Sequence, residues 1–401
     1  MKTQTAELVV VGGGPAGLTA AIAIAGAGVE TALVAGGARA GDNRTTALLA
    51  GSVRALETLG VWERCREHAA PLRVMRIVDD TRRLLRAPEV RFEAHEIGLP
   101  AFGYIIENRF LLAALETRAH ELPALKLIEE DADAVAVEDA KVVVTLKSGA
   151  AIAARLAIGA EGRRSLCRAA AGIATDGWNY PQTALTFNFG HSLPHHDIST
   201  EFHSESGPFT LVPLPGRRSS LVFVTGPAEA PRLAALSDEA MAAEIERRSH
   251  SILGHVTVEP GRGIFALMVE TARSFGAHRI ALVGEAAHVM PPIGAQGLNL
   301  GLRDAATIAE FVVAAHRDGG DIGAADLTAR YERMRRADVT SRTLAVDLLN
   351  RSLLSGFLPL QGARGLGFYL LQRIGPLRRA IMREGIMPAA SQPRLMRGEV
   401  L

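Results

Sequence analysis

Apolar and polar positions along this chain follow two periods in turn, and the opening stretch sets the pattern. Leu8-Val9-Val10-Val11 is an unbroken apolar run that enters Gly12-Gly13-Gly14, and the segment from Pro15 to Ala27 is apolar on every side. That predicts a buried strand over 6–11, a tight turn at 12–14, a helix over 15–27 and a second strand over 29–34, which together make a βαβ unit of a parallel sheet. The uncharged run Leu8–Val29 has the length of a membrane span. Its glycine cluster and Pro15, and a Lys2–Glu7 lead-in without the basic start and cleavage site of a signal peptide, favour the buried strand and helix instead.

Further on, Val53, Leu56 and Leu59 recur at helical spacing up to Gly60, after Asp42-Asn43-Arg44-Thr45-Thr46. Leu111, Leu112 and Leu115 mark a helix from Arg109 to Ala119, and residues 72–104 are mixed and strand-like. Lys141–Leu146 and Ala151–Ile158 read as paired strands around a Ser148-Gly149 turn. From Thr183 to Val269 the period is that of strands, with a hairpin turn at Pro215-Gly216-Arg217-Arg218 and one helix over 238–250. A strand over 279–283 and a helix over 298–316 restore the first pattern, and the chain from 326 onward is helical.

The simplest arrangement is an α/β protein whose Rossmann-like nucleotide-binding domain is interrupted by a β-sheet-rich substrate domain and followed by a C-terminal helical segment. Segments 1–71, 105–182 and 270–325 fall to the nucleotide-binding domain, 72–104 and 183–269 to the sheet domain, and 326–401 to the C-terminal helices. A formal net charge of +1 gives no electrostatic footprint for nucleic acid. The two cysteines, Cys65 and Cys167, lack metal-ligand spacing, which argues against a zinc site or a disulfide framework and fits a reducing, cytoplasmic compartment. His195-His196-Asp197 looks metal-like, but neighbours on a strand face opposite ways, so a surface loop is expected and no metal.

Gly12, Gly14 and Gly17, with Pro15 and Ala16 between them, have the GxGxxG spacing that lets a pyrophosphate approach a helix N-terminus. The acid that should take the ribose at the end of the second strand is missing: Ala35 stands there, and Glu30 lies at the wrong end. A second glycine- and proline-rich stretch, Gly284 to Asp304, again joins an apolar strand to a helix. Two such segments so far apart suit a long cofactor, FAD rather than NAD.

With these segments, Ile106-Glu107-Asn108-Arg109-Phe110-Leu111, Gly159-Ala160-Glu161-Gly162 and Gln296-Gly297-Leu298-Asn299-Leu300-Gly301-Leu302-Arg303-Asp304 fall in the order of a known family. Over nearly its whole length the chain resembles the FAD-dependent aromatic hydroxylases of para-hydroxybenzoate hydroxylase-like fold, and within them the ubiquinone-biosynthesis hydroxylases. Tyr331–Asp338 and the helical tail support that branch. The resemblance implies FAD contacts from Arg44, Thr45 and Arg109, a pyrophosphate-organising acid at Glu161 and ribityl contacts from Gly284 and Glu285, with Glu for the family's Asp at both acidic positions. It also implies a flavin-facing loop of Pro292, Gly294, Gln296, Gly297, Leu298 and Asn299, whose backbone N–H groups open the following helix. Many relatives of this branch read Ala-Gly where this chain has Gly294-Ala295. His288 beside the loop is a candidate base, although a structural role is preferred and no catalytic side chain is required.

The implied reaction is hydroxylation of a polyprenyl phenol in ubiquinone biosynthesis through a flavin C4a-hydroperoxide, with dioxygen as co-substrate. Electrons come either from NAD(P)H docking at the flavin or from a separate reductase protein, since no second nucleotide-binding turn is visible. Phe187, Phe189, Phe209, Leu211, Pro213, Phe223 and Met268 are candidates for the substrate wall, but each taken alone is better read as core. Residues 351–401 carry eight arginines against two glutamates, with Leu366, Leu370 and Ile374 at helical spacing beside Phe368 and Leu371. They suit peripheral contact with the inner membrane, or packing on the body or on a partner in a quinone-biosynthesis complex. A flavin halogenase is disfavoured: no lysine lies between Lys2 and Lys126, and Trp62 and Trp178 form no Trp-x-Trp. The alternatives left are a flavin-linked reductase or oxidase, a non-catalytic accessory flavoprotein and a monooxygenase of another aromatic substrate.

Overall fold

Parallel strands buried on both faces must be apolar at every position, and four such runs meet in the centre of the molecule. The computed structural model describes residues 3–37, 44–81, 86–354, 358–386 and 392–401. In its central sheet Ile280–Leu282, Leu156–Gly159, Leu8–Val11, Thr31–Val34 and Leu125–Ile128 lie side by side and parallel, with Gly276–Ala277 antiparallel at one edge. Leu8–Val11 has Thr31–Val34 on one side and Leu156–Gly159 on the other. Chain connections therefore diverge at its carboxyl end, where an open α/β sheet forms its ligand crevice. The helix Pro15–Gly26 leaves that end with proline in its first turn and is buried along Gly17–Ala25, as an all-apolar helix requires.

The expected strand Ala151–Ile158 is two strands. Ala151–Ala154 pairs antiparallel with Val142–Leu146 in a four-stranded sheet with Ala132–Val137 and Thr3–Thr5, whereas Leu156–Gly159 enters the central parallel sheet. The break is at Arg155, whose guanidinium bonds the Gly320 carbonyl and Asp321. Thr45–Leu49 is also a strand, paired with Gly103–Glu107, and it precedes the helix Ala50–Thr58.

The second domain is a nine-stranded sheet drawn from residues 74–93, 175–272 and 288–289. Its longest strand, Thr175–His191, changes register between Asn179 and Thr183, where Pro181 lacks a donor for the ladder. The Pro215–Arg218 hairpin joins Gly207–Leu214 to Arg218–Thr225 as predicted. Leu185, Phe187, Phe189, Phe209, Leu211, Leu221 and Phe223 all pack on one face of this sheet, against Leu233, Met241 and Ile245 of the helices Glu229–Ala234 and Asp238–Arg248.

The C-terminal segment is helical over Ala325–Leu354, Leu358–Arg373, Gly375–Ile386 and Arg394–Arg397. The last of these returns to the first domain, where Leu395 and Met396 join its core and Met396 covers Gly51. Among the described residues, no helix is long and apolar enough to cross a membrane.

Candidate functional site

At the glycine turn each glycine has its own reason. Gly12 has φ +113, and a Cβ there would lie 2.5 Å from the Ala160 carbonyl. A Cβ on Gly17 would collide with the Gly12 carbonyl oxygen, so the third glycine lets helix and strand close up. Gly14 is different: a Cβ there would meet nothing within 4 Å. It caps the helix Pro15–Gly26 without any side-chain hydrogen bond. A helix start with open space at its cap and no capping side chain suits an anion of the kind a pyrophosphate supplies. These residues fit FAD.

Ala35 does stand at the end of the second strand, and its methyl carbon lies 2.6 Å from where a Gly13 Cβ would be. Glu30 is exposed at the opposite end. Glu161 begins the turn beside Gly12 but is largely engaged elsewhere. One of its oxygens, Oε1, accepts from Ser165 Oγ at 2.9 Å and from Cys167 N at 2.8 Å, holding the start of the helix Leu166–Ala170. Its Oε2 is buried without a partner among the described residues.

Pairing of Thr45–Leu49 with Gly103–Glu107 brings Arg44 and Arg109 to one end of two adjacent strands, where Asn108 N bonds the Arg44 carbonyl at 2.9 Å. Asp42 and Asn43 lie outside the described residues. Arg44 lies over the Phe265 ring at 5.8 Å. Arg109 Nη2 donates to buried Glu107 at 2.9 Å, with 53% of its side chain still exposed. Glu107 also accepts from Asn188 and Arg218. Burial alone would raise its carboxyl, but the bonds from Arg109 and Arg218 outweigh that and hold it below its usual range. Thr45 Oγ1 donates to Ser220 Oγ at 2.8 Å, so it ties the first domain to the sheet.

In the later segment, Gly284 (φ +58) sits against Ala16 and Gly301, leaving no room for a side chain at position 301. Its N–H donates to Asp304 Oδ2 at 3.0 Å. His288 Nε2 meets the same oxygen at 2.6 Å, and Arg335 Nε donates to Oδ1 at 2.7 Å. Asp304, read in the sequence only as the end of a motif, is thus the anchor of the whole loop. Arg335 continues to Asp338 at 2.7 Å, which also takes Arg303 at 2.6 Å and Arg342 at 2.8 Å. Burial would raise both carboxyls, yet for Asp304 the charges of His288 and Arg335, and for Asp338 those of Arg335 and Arg303, outweigh it and hold them below their usual value. His288 is buried with Nε2 committed to Asp304, which places it as a support of the loop.

The helix after the loop begins at Gln296, two residues earlier than its apolar period indicates. Gly294 (φ +67) and Ala295 (φ +55) are both left-handed, and Ala295 caps the helix with no side-chain bond. Asn299 spends its whole amide inside the protein. Oδ1 accepts from Leu49 N (2.8 Å) and Ser52 Oγ (2.7 Å), and Nδ2 donates to the Ala47 (2.7 Å) and Ala295 (2.6 Å) carbonyls. Gln296 likewise bonds the Gly294 carbonyl and Arg342. What either can offer a cofactor is backbone. Leu298 is partly buried against the first domain's core. Pro292, Gly294 and Gly297 are exposed, as is Glu285, which has no hydrogen-bond or ion-pair partner among the described residues.

On the substrate side, five of the seven candidates are core, the reading favoured for each alone: Phe187, Phe189, Phe209, Leu211 and Phe223 lie under the two helices of the sheet domain. Pro213 is buried in its strand, and Met268 is partly exposed with its sulfur 3.3 Å from Arg163. The alternate positions face the other way. Asn188 and Ser220 reach Glu107 and Thr45 of the first domain, and Ala184 and Val224 pack with Tyr180, Leu267 and Val269. Period-two alternation could have separated these two sets; residue size alone pointed to the wrong one. His195 lies in a loop, with Nε2 bonded to the Leu214 carbonyl and Nδ1 to the Asp197 N–H.

The FAD binding domain family matches residues 5–344. The chain is 37% identical over 405 positions to a ubiquinone hydroxylase, UbiL, of Rhodospirillum rubrum, across 98% of this chain and 93% of that protein. It is 30% identical to the 3-demethoxyubiquinol 3-hydroxylase of Escherichia coli, across 96% of this chain and 99% of that one. Of solved structures, p-nitrophenol 4-monooxygenase PnpA of Pseudomonas putida has a TM-score of 0.79 at 19% identity, over 96% of this chain and 98% of that one. A variant of HpxO from Klebsiella pneumoniae, complexed with FAD, has a TM-score of 0.74 at 18% identity, over 96% and 99%. At such identities the likeness to the solved structures is one of fold.

Proposed function

Because the chain belongs to the FAD binding domain family and is an FAD-dependent monooxygenase, we propose that it hydroxylates the aromatic ring of a polyprenylated phenol on the route to ubiquinone. The observation that carries this reading is the 37% identity, across 98% of the chain, to a relative that bears the name ubiquinone hydroxylase. When bound, FAD supplies the activation of dioxygen and delivery of one oxygen atom to an electron-rich ring.

The chain's residues hold and orient. The N–H groups of the Gly12–Gly17 turn take the pyrophosphate at the uncapped helix N-terminus, with the half-exposed guanidinium of Arg109 and with Arg44 as further charge. Glu285 offers an unpartnered carboxylate to ribityl hydroxyls, and the exposed backbone of Pro292, Gly294 and Gly297 flanks the ring. Those backbone groups sit at the start of a 22-residue helix, whose dipole favours negative charge there. No side chain is required as a catalytic base, and His288 acts through Asp304 to hold the loop. Electrons enter from NAD(P)H or from a reductase protein. NADPH oxidation by the purified protein, measured with and without added reductase, separates the two.

Residues 351–401 support a peripheral membrane contact, though with less free charge than the sequence suggests. Arg364 is buried on Asp79, Arg378 pairs with Glu96, and Arg351 with Asp347. Arg373, Arg379 and Arg383 have no carboxylate partner among the described residues, and Leu366, Tyr369, Ile374, Leu377 and Ile381 beside them are each exposed by 40% or more. Flotation with vesicles containing anionic lipid tests this contact. Deletion of the gene, with mass spectrometry of the quinone pool, tests the function. Accumulation of a precursor lacking one ring hydroxyl is expected, and an unchanged pool overturns the assignment.

A further inference from the structure

We propose that Asp131 supplies the carboxylate for the adenosine ribose that the end of the second strand lacks, an inference that rests on the FAD reading above. In this fold the ribose hydroxyls are taken by an acid at the carboxyl end of the strand beside the glycine turn. Here that strand is Thr31–Val34, followed by Ala35 and Gly36.

The next strand in the sheet, Leu125–Ile128, ends level with it. Val34 pairs with Ile128, and Ala35 N donates to the Ile128 carbonyl at 3.0 Å. Three residues later the Asp131 carboxylate folds back over the end of Thr31–Val34. Its Oδ1 occupies the place a Gly36 Cβ would take, and its Oδ2 lies 3.1 Å from that place. Glycine at 36 is therefore what leaves room for the carboxylate, and the acid missing at one strand end arrives from its neighbour.

Asp131 is held there without being closed off. Lys147 Nζ donates to Oδ2 at 2.6 Å, Lys147 N donates to the Asp131 carbonyl at 3.1 Å, and the carboxylate side chain is 56% exposed. Adjacent Glu130 is committed through both carboxylate oxygens to the Ser148 N–H and hydroxyl of the hairpin turn. Each carboxylate oxygen has more than one acceptor site, so an anchored Asp131 still suits a pair of ribose hydroxyls.

The test measures affinity of the full-length apoprotein by quenching of flavin fluorescence, with FAD and with FAD whose adenosine lacks the 2′-hydroxyl. Wild-type protein should bind FAD about tenfold more tightly than the deoxy form, as a charged hydrogen bond implies. Asp131→Asn should bind FAD about tenfold more weakly and no longer distinguish the two, with the apoprotein melting point unchanged. Asp133→Asn, an exposed acid in the following strand Ala132–Val137, should behave as wild type. An Asp131→Asn protein that binds FAD as tightly as wild type, or still prefers it to the deoxy form, overturns the proposal while leaving FAD binding intact. Wild-type protein that binds neither flavin overturns the FAD reading itself, and this proposal with it.

Discussion

The buried pair of Asp304 and Arg335 should be the most sensitive point of the cofactor loop to a single substitution. Their side chains are 0% and 1% exposed, the Nε–Oδ1 distance is 2.7 Å, and the same carboxylate holds Gly284 N and His288. Removing Arg335 leaves a buried carboxylate facing one cation fewer, and loss of one partner of such a pair costs about 3–5 kcal/mol. With an unfolding entropy of about 2.1 cal/mol/K per residue, a 401-residue chain melting as one unit loses about 4–6 °C in Tm. Arg335→Ala and Asp304→Ala should each show this by calorimetry of the apoprotein, and the double variant should lose less than their sum. The pH dependence has a definite sign. Asp304 and Asp338 are depressed below the ordinary 3.8, so their contribution is complete above that value and lost as pH falls through the lowered ones. The gap between wild type and variant should narrow below about pH 4. An Arg335→Ala protein melting within about 1 °C of wild type at pH 7, or strictly additive singles, would refute the reasoning.

Three further outcomes are expected. Ala295→Gly should raise stability by about 0.5–1 kcal/mol, because a left-handed alanine costs about 1–2 kcal/mol and glycine's larger unfolded-state entropy offsets part of the gain; a lower midpoint in urea contradicts it. Asn299→Ala should cost about 2–4 kcal/mol by leaving Leu49 N and the Ala47 carbonyl without their partner, and should weaken FAD binding in a fluorescence titration; unchanged affinity would detach the clamp from the cofactor. Burial lifts the Cys65 thiol to about 11 and pushes the Cys167 thiol well above its usual value. At pH 8 about one Cys65 in a thousand is thiolate, so a thiol reagent should label native protein slowly and both cysteines at once in guanidinium. Since a raised thiol pKa favours the folded state only while it is protonated, stability should also fall as pH climbs from 9 towards 11.

How much of this was legible in the sequence depends on whether a residue's partner was close by in the chain. Leu8–Val11 and Pro15–Gly26 could be read directly, because an unbroken apolar run bounded by glycines has few other uses. Ala151–Ile158 is apolar apart from Arg155, yet which sheet each half joins depends on Val142–Leu146 and on Leu8–Val11, and Arg155 marks the change only once Asp321 is beside it. Phe187, Phe189, Phe209 and Phe223 were correctly placed on strands but lie on the face that packs on the sheet domain's own helices. Asp304 and Asp131 were the least visible, since their meaning comes from Arg335, His288 and Gly36, remote in sequence.

The same distances explain why side-chain identity was a poor guide within the cofactor loop. Asn299 points at 47–52, Gln296 at Arg342, and His288 at Asp304, so these three polar groups of the loop face the protein, while Glu285 is exposed. A flat ring needs close backbone and donors that do not reorganise, and inward-facing side chains are what fix a backbone left bare on its other side. Arg342 extends that fixation outward: besides Asp338 and Gln296 it donates to the carbonyls of Glu384 and Gly385, at the end of the helix Gly375–Ile386. That helix carries exposed Leu377 and Ile381. The loop is thus held through one guanidinium to the segment proposed to meet the membrane, and the position of the one cannot change without loading the other.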